Sequence, residues 1–240
     1  ERCIIYTDVE GVYTTDPNLT KSAKKIKKIS YEEMLEMSSL GAKVMQPTSI
    51  QEARLNRIEI DVKSTFSKKP GTTITKKKNI LSKNNIRGIS FTKNDAKLTL
   101  IGVKDRPGVA ASIFKPLYEN SINVDMVVQN ISADSRETDL TFTIKLEDLL
   151  KTRKLLENNK LIKFKKLIVN KDVSKVSIIG VGMITTPGVT YRMFRALAKK
   201  RINIEVISTS EIKISVLINK KNLKKSVEIL HQEFKLNNNL

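Results

Sequence analysis

The stretch LTLIGVKDRPGVAASIFKPLYENSINVDMVVQNI, residues 98–131, occurs twice in this chain. The second copy, residues 176–210, reads VSIIGVGMITTPGVTYRMFRALAKKRINIEVISTS. The Pro-Gly-Val of residues 107–109 recurs at 187–189, and Ile-Asn-Val at 122–124 recurs as Ile-Asn-Ile. A long self-match with one short insertion indicates that a single supersecondary unit has been duplicated.

Both copies follow one plan. An apolar, β-branched run (98–103 or 176–181) is typical of a buried strand. After the Pro-Gly loop, apolar residues at i, i+4, i+5 and i+8 predict a helix with one apolar stripe. A second strand, a third strand (138–145 or 211–219) and a Lys- and Leu-rich helix (147–158 or 223–234) follow. With one more strand per copy, the order predicts a ferredoxin-like βαββαβ sandwich, with helices on one face of an antiparallel sheet. Residues 88–92 and 161–169 are predicted as strands, and the sheet that takes the latter stays open.

Composition limits the classes of protein that fit. A chain of 240 residues holds two or three small domains, and 40% apolar residues suffice for packed cores. Apolar runs stay well below the 18 residues of a membrane span. One cysteine and one histidine argue against an internal disulfide framework, a zinc cluster and a His–Cys or Ser–His catalytic constellation. The cytoplasm is the predicted location. Because the chain begins with Glu1 inside a strand-like run, we interpret it as a fragment of a longer protein.

The net charge of +19 has two interpretations. It indicates either a polyanionic partner or a general bias toward lysine, and scattered doublets without interleaved aromatic residues favour solvated surface lysines. RNA binding is a distinct hypothesis, because one RNA-recognition module shares the ferredoxin-like plan. That module uses exposed aromatic residues on its central strands, where this chain has Leu100-Ile101 and Ile178-Ile179. We therefore predict neither a nucleic-acid nor a membrane partner.

The upstream region reads as a separate α/β segment. A predicted strand (4–9) leads into the polar turn TDVEGVYTTDP, residues 7–17. Such a turn at the carboxyl end of a strand is either a ligand loop or an Asx-rich structural turn. Ser30 and Glu33 form a capping box for a predicted helix (31–40), which ends at Gly41. A helix (49–55), a strand (58–62), a turn and strand (64–74) and a lysine-rich linker (75–85) follow.

Three motifs resemble one family, in that family's order. YTDVEGVYTTDP (6–17), ISYEEM (29–34) with GAKV (41–44), and the two copies with VVQN (127–130) and ISTSEI (207–212) are similar to aspartate kinases. The resemblance implies an α/β and α+β architecture, in which residues 1–75 are the C-terminal part of an amino-acid-kinase sandwich. Residues 76–94 would be a linker, and residues 95–170 and 171–240 two ferredoxin-like ACT domains. It also implies transfer of phosphate from ATP, with Mg²⁺, to the β-carboxylate of L-aspartate.

The resemblance carries nucleotide contacts onto Thr7, Asp8, Tyr13 and Lys43. A lysine on the phosphates fits a reaction that depends mainly on positioning and charge stabilisation. Asn18 stands where the family usually has arginine, which puts one cationic contact in doubt. The family's N-terminal Lys-Phe-Gly-Gly segment, with its catalytic lysine, and its aspartate-binding stretch are not among these residues. We therefore assign no catalytic residue and no metal ligand, and expect this chain alone to be inactive.

The resemblance also implies that the ACT domains bind an effector, L-lysine or L-threonine or both. The amides of residues 108–110 are expected to be unpaired donors for its carboxylate at a helix start. The contacts carried over are Asp105, Ala110, Asn123, Val124, Asp125 and Gln129 in the first copy, and Val189, Thr190, Asn203, Ile204, Ser210 and Glu211 in the second. Val124 and Ile204 would be apolar in any case, and Asn123 and Asn203 also suit plain turns.

The loops of the two copies differ chemically, since Thr185 and Thr186 replace Lys104 and Asp105. This difference favours an asymmetric site, built from the first copy of one chain and the second copy of another in a homodimer. The alternative is a free-standing regulatory subunit that forms a heteromer with a complete catalytic chain.

Overall fold

The structure is a computed structural model that describes residues 2–42, 44–76, 85–131, 137–159 and 162–238. The chain divides into two compact units. The larger unit consists of residues 1–92 and 175–240, and the smaller unit of residues 93–174. The upstream segment and the second copy share the larger unit, whereas the first copy forms the smaller one. The smaller unit is therefore an insertion in the sequence of the larger one.

The upstream segment of the larger unit is an α/β layer pair. Its elements are β1 (Arg2–Thr7), β2 (Lys28–Ser30), α1 (Tyr31–Ser39), α2 (Pro47–Leu55), β3 (Glu59–Ser64) and β4 (Thr72–Thr75). The strands lie in the order β1-β3-β4-β2, with β1 parallel to β3 and β2 parallel to β4. Helix α1 begins at the predicted capping box, in which Ser30 Oγ accepts from the Glu33 amide. It ends before Gly41, whose φ of 109° is a conformation that side chains disfavour. Both local predictions are confirmed.

The smaller unit follows the predicted βαββαβ order. Its elements are β5 (Gly88–Lys104), α3 (Val109–Glu119), β6 (Val124–Ile131), β7 (Glu137–Lys145), α4 (Leu149–Glu157) and β8 (Lys166–Ile179). Strand β7 pairs antiparallel with both β5 and β6. Strands β5 and β8 are each longer than expected and contribute residues to both units: the strand predicted at 88–92 continues into the first copy, and β8 runs without a break into the second.

The second copy completes the larger unit. Its further elements are α5 (Val189–Lys199), β9 (Ile204–Thr209), β10 (Lys213–Asn219) and α6 (Leu223–Glu233). In this unit the strand order is β5-β8-β10-β9, and the Arg87 amide donates to Ile179 O at 2.7 Å next to the start of β5. The second copy therefore takes its additional strand from residues 88–92, upstream of the first copy. These residues lie in the predicted linker (76–94), of which residues 77–84 are outside the described part of the chain.

The apolar residues separate into cores that match this division. Within the larger unit, Ile86 and Ile89 pack with Val176, Met193 and Leu230 of the second copy. The core of the upstream segment includes Ile179, from the end of β8. The smaller unit has its own core, whose buried members include Leu98, Leu100, Ile113, Leu117, Leu140 and Phe142. Burial of this kind stabilises by about 25 cal/mol per Å² of apolar surface, so the upstream segment and the second copy stabilise each other. No helix among the described residues is long and apolar enough to cross a membrane.

Candidate functional site

The predicted nucleotide loop begins where strand β1 ends. Thr7 is the last residue of β1, and its Oγ1 donates to Asp8 Oδ1 at 3.0 Å. The backbone oxygen of Thr7 accepts from the Thr65 amide, just after β3, at 2.8 Å. Asp8 is exposed. Its carboxylate therefore reaches solvent at the carboxyl end of β1, the edge at which open α/β sheets bind ligands.

Gly11 lets this loop lie directly on strand β4. Its φ is 141°, and a Cβ there would lie 2.6 Å from Thr72 Oγ1. That hydroxyl oxygen accepts from the Val12 amide at 2.9 Å. A larger residue at position 11 would break this contact, so the glycine determines the course of the loop.

Tyr13 sits half-buried in the same loop. It forms an isolated antiparallel bridge with Lys25. Burial raises the pKa of its phenol above the ordinary value, and Glu10 raises it further, so the hydroxyl is neutral at neutral pH. Glu10 itself accepts from Lys69 Nζ at 3.1 Å, and this hydrogen bond lowers the pKa of its carboxyl group. The loop thus offers an aromatic ring and an exposed carboxylate.

Two positions bear on phosphate binding. Lys43, the predicted phosphate contact, lies outside the described residues. Asn18, at the position of the family's usual arginine, is exposed, and its backbone N–H donates to Asp16 Oδ1 at 2.8 Å. Within the described ranges, no three His, Cys, Asp or Glu side chains gather as a metal site.

The predicted nucleotide loop is connected to the second copy through Thr14. Its Oγ1 lies 2.8 Å from His231 Nε2 of helix α6, and its backbone oxygen accepts from the Ile89 amide at 2.7 Å. The other ring nitrogen, His231 Nδ1, lies 3.2 Å from Ser22 Oγ. His231 is fully buried, and burial lowers the pKa of its imidazole. A neutral imidazole with one donor and one acceptor matches two hydroxyl partners.

Glu33 makes a second junction between the upstream segment and the second copy. Its Oε2 accepts from the Ser30 amide at 3.3 Å, and its Oε1 accepts from the Val181 amide at 3.1 Å. Arg87 Nε lies 3.4 Å from Oε2, at ion-pair distance but without hydrogen-bond geometry. Glu33 and Arg87 are 2% and 4% exposed. A buried carboxylate is stable only when it is paired and hydrogen-bonded, and both conditions hold here.

In the smaller unit, the predicted effector residues fall into two groups. Asp105 is exposed in the loop after β5, and Ala110 is half-buried in the first turn of α3. Asn123, Val124 and Asp125 lie at the start of β6, where Val124 pairs with Ile144 and Ile144 with Ala96. Ala96 precedes Lys104 by eight positions, so at about 3.3 Å per residue the groups are roughly 25 Å apart along the sheet. They do not converge within one unit.

Two details refine the first-copy prediction. Gln129 is exposed on β6 and lies at the level of Leu100, roughly 13 Å from the end of β5 at about 3.3 Å per residue. Asp125 Oδ1 accepts from the Met126 amide at 2.8 Å. The expectation that all three amides of residues 108–110 are unpaired is wrong for Val109. Its N–H donates to Arg106 O at 3.1 Å, because the turn before α3 folds back on itself.

The second copy also separates its predicted residues. Val189 is buried and Thr190 exposed in the first turn of α5. Ser210 and Glu211 are exposed in the β9–β10 hairpin, and the Gly180 amide donates to Ile212 O at 3.0 Å, which keeps the hairpin beside the loop after β8. Exposed Asn203 and half-buried Ile204 lie at the opposite end of β9.

Ser210 and Glu211 line a cavity of about 690 Å³ within the larger unit. Its other lining residues come from the upstream segment and from the loop after β8: Tyr31, Glu32, Arg54, Arg57, Lys76, Val181, Ile184 and Ile212. Arg54 Nε lies 3.3 Å from Glu32 Oε1 in an exposed pair. The cavity therefore combines an apolar wall with charges of both signs.

Sequence reasoning missed three features of these sites. It assigned Glu33 to helix capping alone, it used His231 only to exclude metal sites, and it gave Arg54 and Arg57 no role. The single histidine of the chain, in an otherwise apolar helix stripe, was a signal for a buried polar contact. The second role of Glu33 has no local signal, since Val181 is 148 positions away.

Comparisons with known proteins agree with this architecture. The family model for the ACT domain matches residues 98–159 and 176–234, and the amino acid kinase family model matches residues 1–64. An aspartokinase of Pseudomonas aeruginosa is 45% identical over 239 residues, which are 98% of this chain and 58% of that relative. The chain thus spans little more than half the length of this curated relative.

Solved structures give the same picture. Aspartate kinase from Clostridium acetobutylicum matches 96% of this chain and 54% of its own, at 26% identity and a TM-score of 0.87. E. coli aspartokinase III in complex with lysine and aspartate matches 97% of this chain and 52% of its own, at 27% identity and a TM-score of 0.77. A structure of aspartokinase alpha and beta subunits matches 62% of this chain and 99% of its own, at 40% identity and a TM-score of 0.58.

Proposed function

Since the chain belongs to the aspartate kinase family, we propose that it supplies the last part of the kinase domain and a regulatory pair of ACT domains to an enzyme that phosphorylates L-aspartate. The reaction would transfer the γ-phosphoryl group of ATP to the β-carboxylate of L-aspartate. One observation carries the proposal: a polar loop at the carboxyl end of β1 and a duplicated ACT unit occur in one chain, and the second copy shares one compact unit with that loop.

In this proposal the loop after β1 holds the nucleotide. Thr7 and Asp8 would bind polar groups of ATP, Tyr13 would pack near the adenosine, and Lys43 would neutralise phosphate charge. Phosphoryl transfer depends mainly on positioning and charge stabilisation, and the hydrogen bonds that fix Thr7 and Thr14 suit a positioning role. Mg²⁺ would enter with ATP, bound chiefly by its phosphates and by residues beyond this chain.

The ACT domains would bind L-lysine or L-threonine as the feedback effector. The E. coli relative was solved with lysine and aspartate. Asp105 in the first copy and Glu211 in the second are exposed carboxylates suited to an effector ammonium group. Each copy carries its predicted residues at two separate ends, which supports a site completed by the ACT domain of a second chain.

A homodimer through the ACT domains would supply that second chain. Strands β6 and β9 are at the ends of the strand orders, and Val127 and Ile207 on them are 50% and 43% exposed. Unpaired edge strands with exposed apolar residues readily pair with another chain. An effector that binds one arrangement of the dimer better would shift the kinase toward it in proportion to that preference.

A free-standing regulatory subunit is the second candidate. The matched structure of alpha and beta subunits, at 99% coverage of its own chain and 62% of this one, favours it. Such a subunit would sense the same amino acids but form a heteromer with a complete catalytic chain. Size-exclusion chromatography with light scattering, with and without a complete aspartate kinase chain, distinguishes the two: a homodimer that ignores the added chain favours the first proposal.

Calorimetric titration with L-lysine and L-threonine, separately and together, tests the effector function. We expect saturable binding of at least one of them, and at least about a tenfold weaker affinity for Asp105→Ala, since a lost charge-assisted bond is worth about 1.5–3 kcal/mol. L-Aspartate is the control ligand, and Asp148→Ala, which removes a carboxylate elsewhere in the same unit, is the control variant. A folded dimer that binds neither amino acid contradicts the proposal.

A further inference from the structure

Helix α1 contacts the second copy, and the strand that residues 88–92 add to it, at several points along its length. At its first turn, Glu33 accepts from the Val181 amide. One turn later, Lys213 Nζ lies 3.0 Å from Glu36 Oε2, and Met37 O accepts from Ser90 Oγ at 3.3 Å. Past its end, a Cβ on Gly41 would lie 2.3 Å from Phe91 O. A nine-residue helix spans about 14 Å, so displacement of one end moves the other.

The first of these contacts lies on the loop that leads into α5. Val181 opens a 3-10 helix (Val181–Thr185), and the predicted effector residues Val189 and Thr190 follow it. The loop is also fixed at Gly180, whose amide donates to Ile212 O. A change in this loop can therefore reach α1 directly through the side chain of Glu33, and less directly through Ile212 and the Lys213–Glu36 pair.

Glu33 is suited to this connection because its two carboxylate oxygens serve different elements. Oε2 accepts from the Ser30 amide and hydroxyl and pairs with Arg87, whereas Oε1 accepts from the Val181 amide. Burial makes these bonds strong and costly to leave unmade. The helix cap and the loop of the second copy are thus coupled at one buried group.

We propose that Glu33 is a positioning residue that transmits movement of the loop at residues 180–188 to helix α1 and, through the end of α1, to the nucleotide site. Residues 40–42 end the helix and directly precede Lys43 in the sequence. The inference rests on the proposed function for its natural input, the amino-acid effector. The connection itself belongs to the larger unit and needs no second chain.

Glu33→Gln separates transmission from capping. The single amide oxygen still accepts from Ser30, but the amide nitrogen then faces the Val181 N–H, and two donors do not bond. Glu52→Gln is the matched control, because it makes the same charge change at an exposed site on the neighbouring helix α2.

Gly182→Ala supplies a displacement of the loop that needs no effector. A Cβ there would lie 2.5 Å from Asn85 Cα, so the loop must shift. The readout is hydrogen exchange, resolved by NMR, at the Leu40 and Ala42 amides, which bond to Glu36 O and Met37 O at the end of α1. With Glu33 in place, we expect Gly182→Ala to change these exchange rates by about tenfold, the size of coupling between residues in one network.

In the Glu33→Gln background, the same change at Gly182 should alter these rates by less than about twofold, while the Glu52→Gln background keeps the tenfold response. A merely structural Glu33 would lower the overall stability but leave the response intact, and that result overturns the proposal. If Glu33→Gln alone does not fold, the double variant Glu33→Gln/Arg87→Met removes the orphaned buried charge and is judged by the same response.

Addition of L-lysine or L-threonine to the same samples separates this inference from the proposed function. If neither amino acid binds, the proposed effector function fails, and the response to Gly182→Ala still decides the role of Glu33. If an effector binds and alters the Leu40 and Ala42 rates equally with and without Glu33→Gln, the proposed function stands and the role of Glu33 is overturned.

Discussion

In the first copy of the duplicated unit, the loop before the helix is exposed and charged, with Lys104, Asp105 and Arg106 all toward solvent. In the second copy, Thr185 in the corresponding part of the loop is also exposed, but the start of the loop is bonded to the upstream segment, since the Val181 amide donates to Glu33 Oε1. The glycine before it is bonded in both copies: the Gly102 amide donates to Asp139 Oδ1, and the Gly180 amide donates to Ile212 O. Yet the two backbones agree closely. Gly108 and Gly188, the N-caps of α3 and α5, have φ angles of 85° and 86°.

The copies also agree at the far end of these helices. Ser121 and Arg201, directly after the C-caps, have φ angles of 56° and 57°, although neither is glycine. Duplication has therefore kept the backbone and changed the partners. The start of the second loop is bonded to the upstream segment, whereas the first loop exposes Asp105, the proposed effector contact.

The largest predicted effect comes from removing the side chain that bonds the second loop to the upstream segment. Glu33→Ala should lower the free energy of unfolding of the larger unit by about 3–5 kcal/mol, because Arg87 then lies buried without its partner. Asp105→Ala, in the exposed first loop, should change stability by less than about 0.5 kcal/mol. Urea unfolding of both variants measures the two losses of unfolding free energy. Equal losses would contradict the inference that the second loop is held by its bond to Glu33 and the first loop is not.

Substitution of the N-cap glycines tests the shared backbone. Gly108→Ala and Gly188→Ala should each cost about 1–2 kcal/mol, the strain of a left-handed residue. At both positions the added Cβ meets no atom within 4 Å, so strain is the only expected term. Native-state hydrogen exchange in each helix reports the unit concerned. If the two losses of unfolding free energy differ by more than about 1 kcal/mol, the backbones at the two N-caps are not equivalent.

A pH dependence that originates from histidine should appear in the larger unit alone. Because burial depresses the pKa of His231 below its ordinary value of 6.5, the unfolded chain binds this proton more readily than the folded one. The stability contribution is complete above pH 6.5 and is lost as the pH falls below it, by up to about 1.4 kcal/mol per pH unit.

His231→Gln, which keeps one donor and one acceptor, should remove this slope while the other acid-induced losses persist. Urea titrations between pH 7.5 and pH 5, run on both proteins, measure it. The smaller unit contains no histidine, so its exchange-derived stability serves as the internal control. An unchanged slope in the variant excludes His231 as its source.

The smallest predicted effect uses the residues after the C-caps. Arg201→Gly and Ser121→Gly should each stabilise by about 0.5–1 kcal/mol, because glycine adopts positive φ without the penalty that other residues incur. Thermal unfolding monitored by circular dichroism should show a small upward shift for both. Lys200→Gly, one residue earlier and outside this conformation, should destabilise instead.

The local parts of the fold were predictable because their signals are local. Ser30 and Glu33 lie three positions apart and Gly41 directly follows the helix they begin, so the cap, the helix and its end were all legible in the sequence. The duplicated Pro-Gly-Val likewise identified both helices and the βαββαβ order. These predictions were confirmed because each depends on residues that are only a few positions apart in the sequence.

What escaped prediction depends on pairing between distant residues. Nothing in residues 88–92 indicates that they pair with the second copy rather than the first, since either sheet would accept Ile89. The partner of Glu33 is likewise set by tertiary packing, as is the placement of His231 against Thr14. The predicted effector residues stay predictions. In each copy they lie at two separate ends of the unit, so a complete site would need residues of a second chain.

The order of the strands has a consequence for folding during synthesis on the ribosome. Residues 93–174 form a consecutive unit that can fold as soon as it has emerged, as domains generally do during synthesis. Residues 88–92 must wait for the end of β8, and the upstream core must wait for Ile179. The upstream segment is therefore translated before the smaller unit but completed after it, and its apolar face stays exposed to solvent until the second copy has been translated.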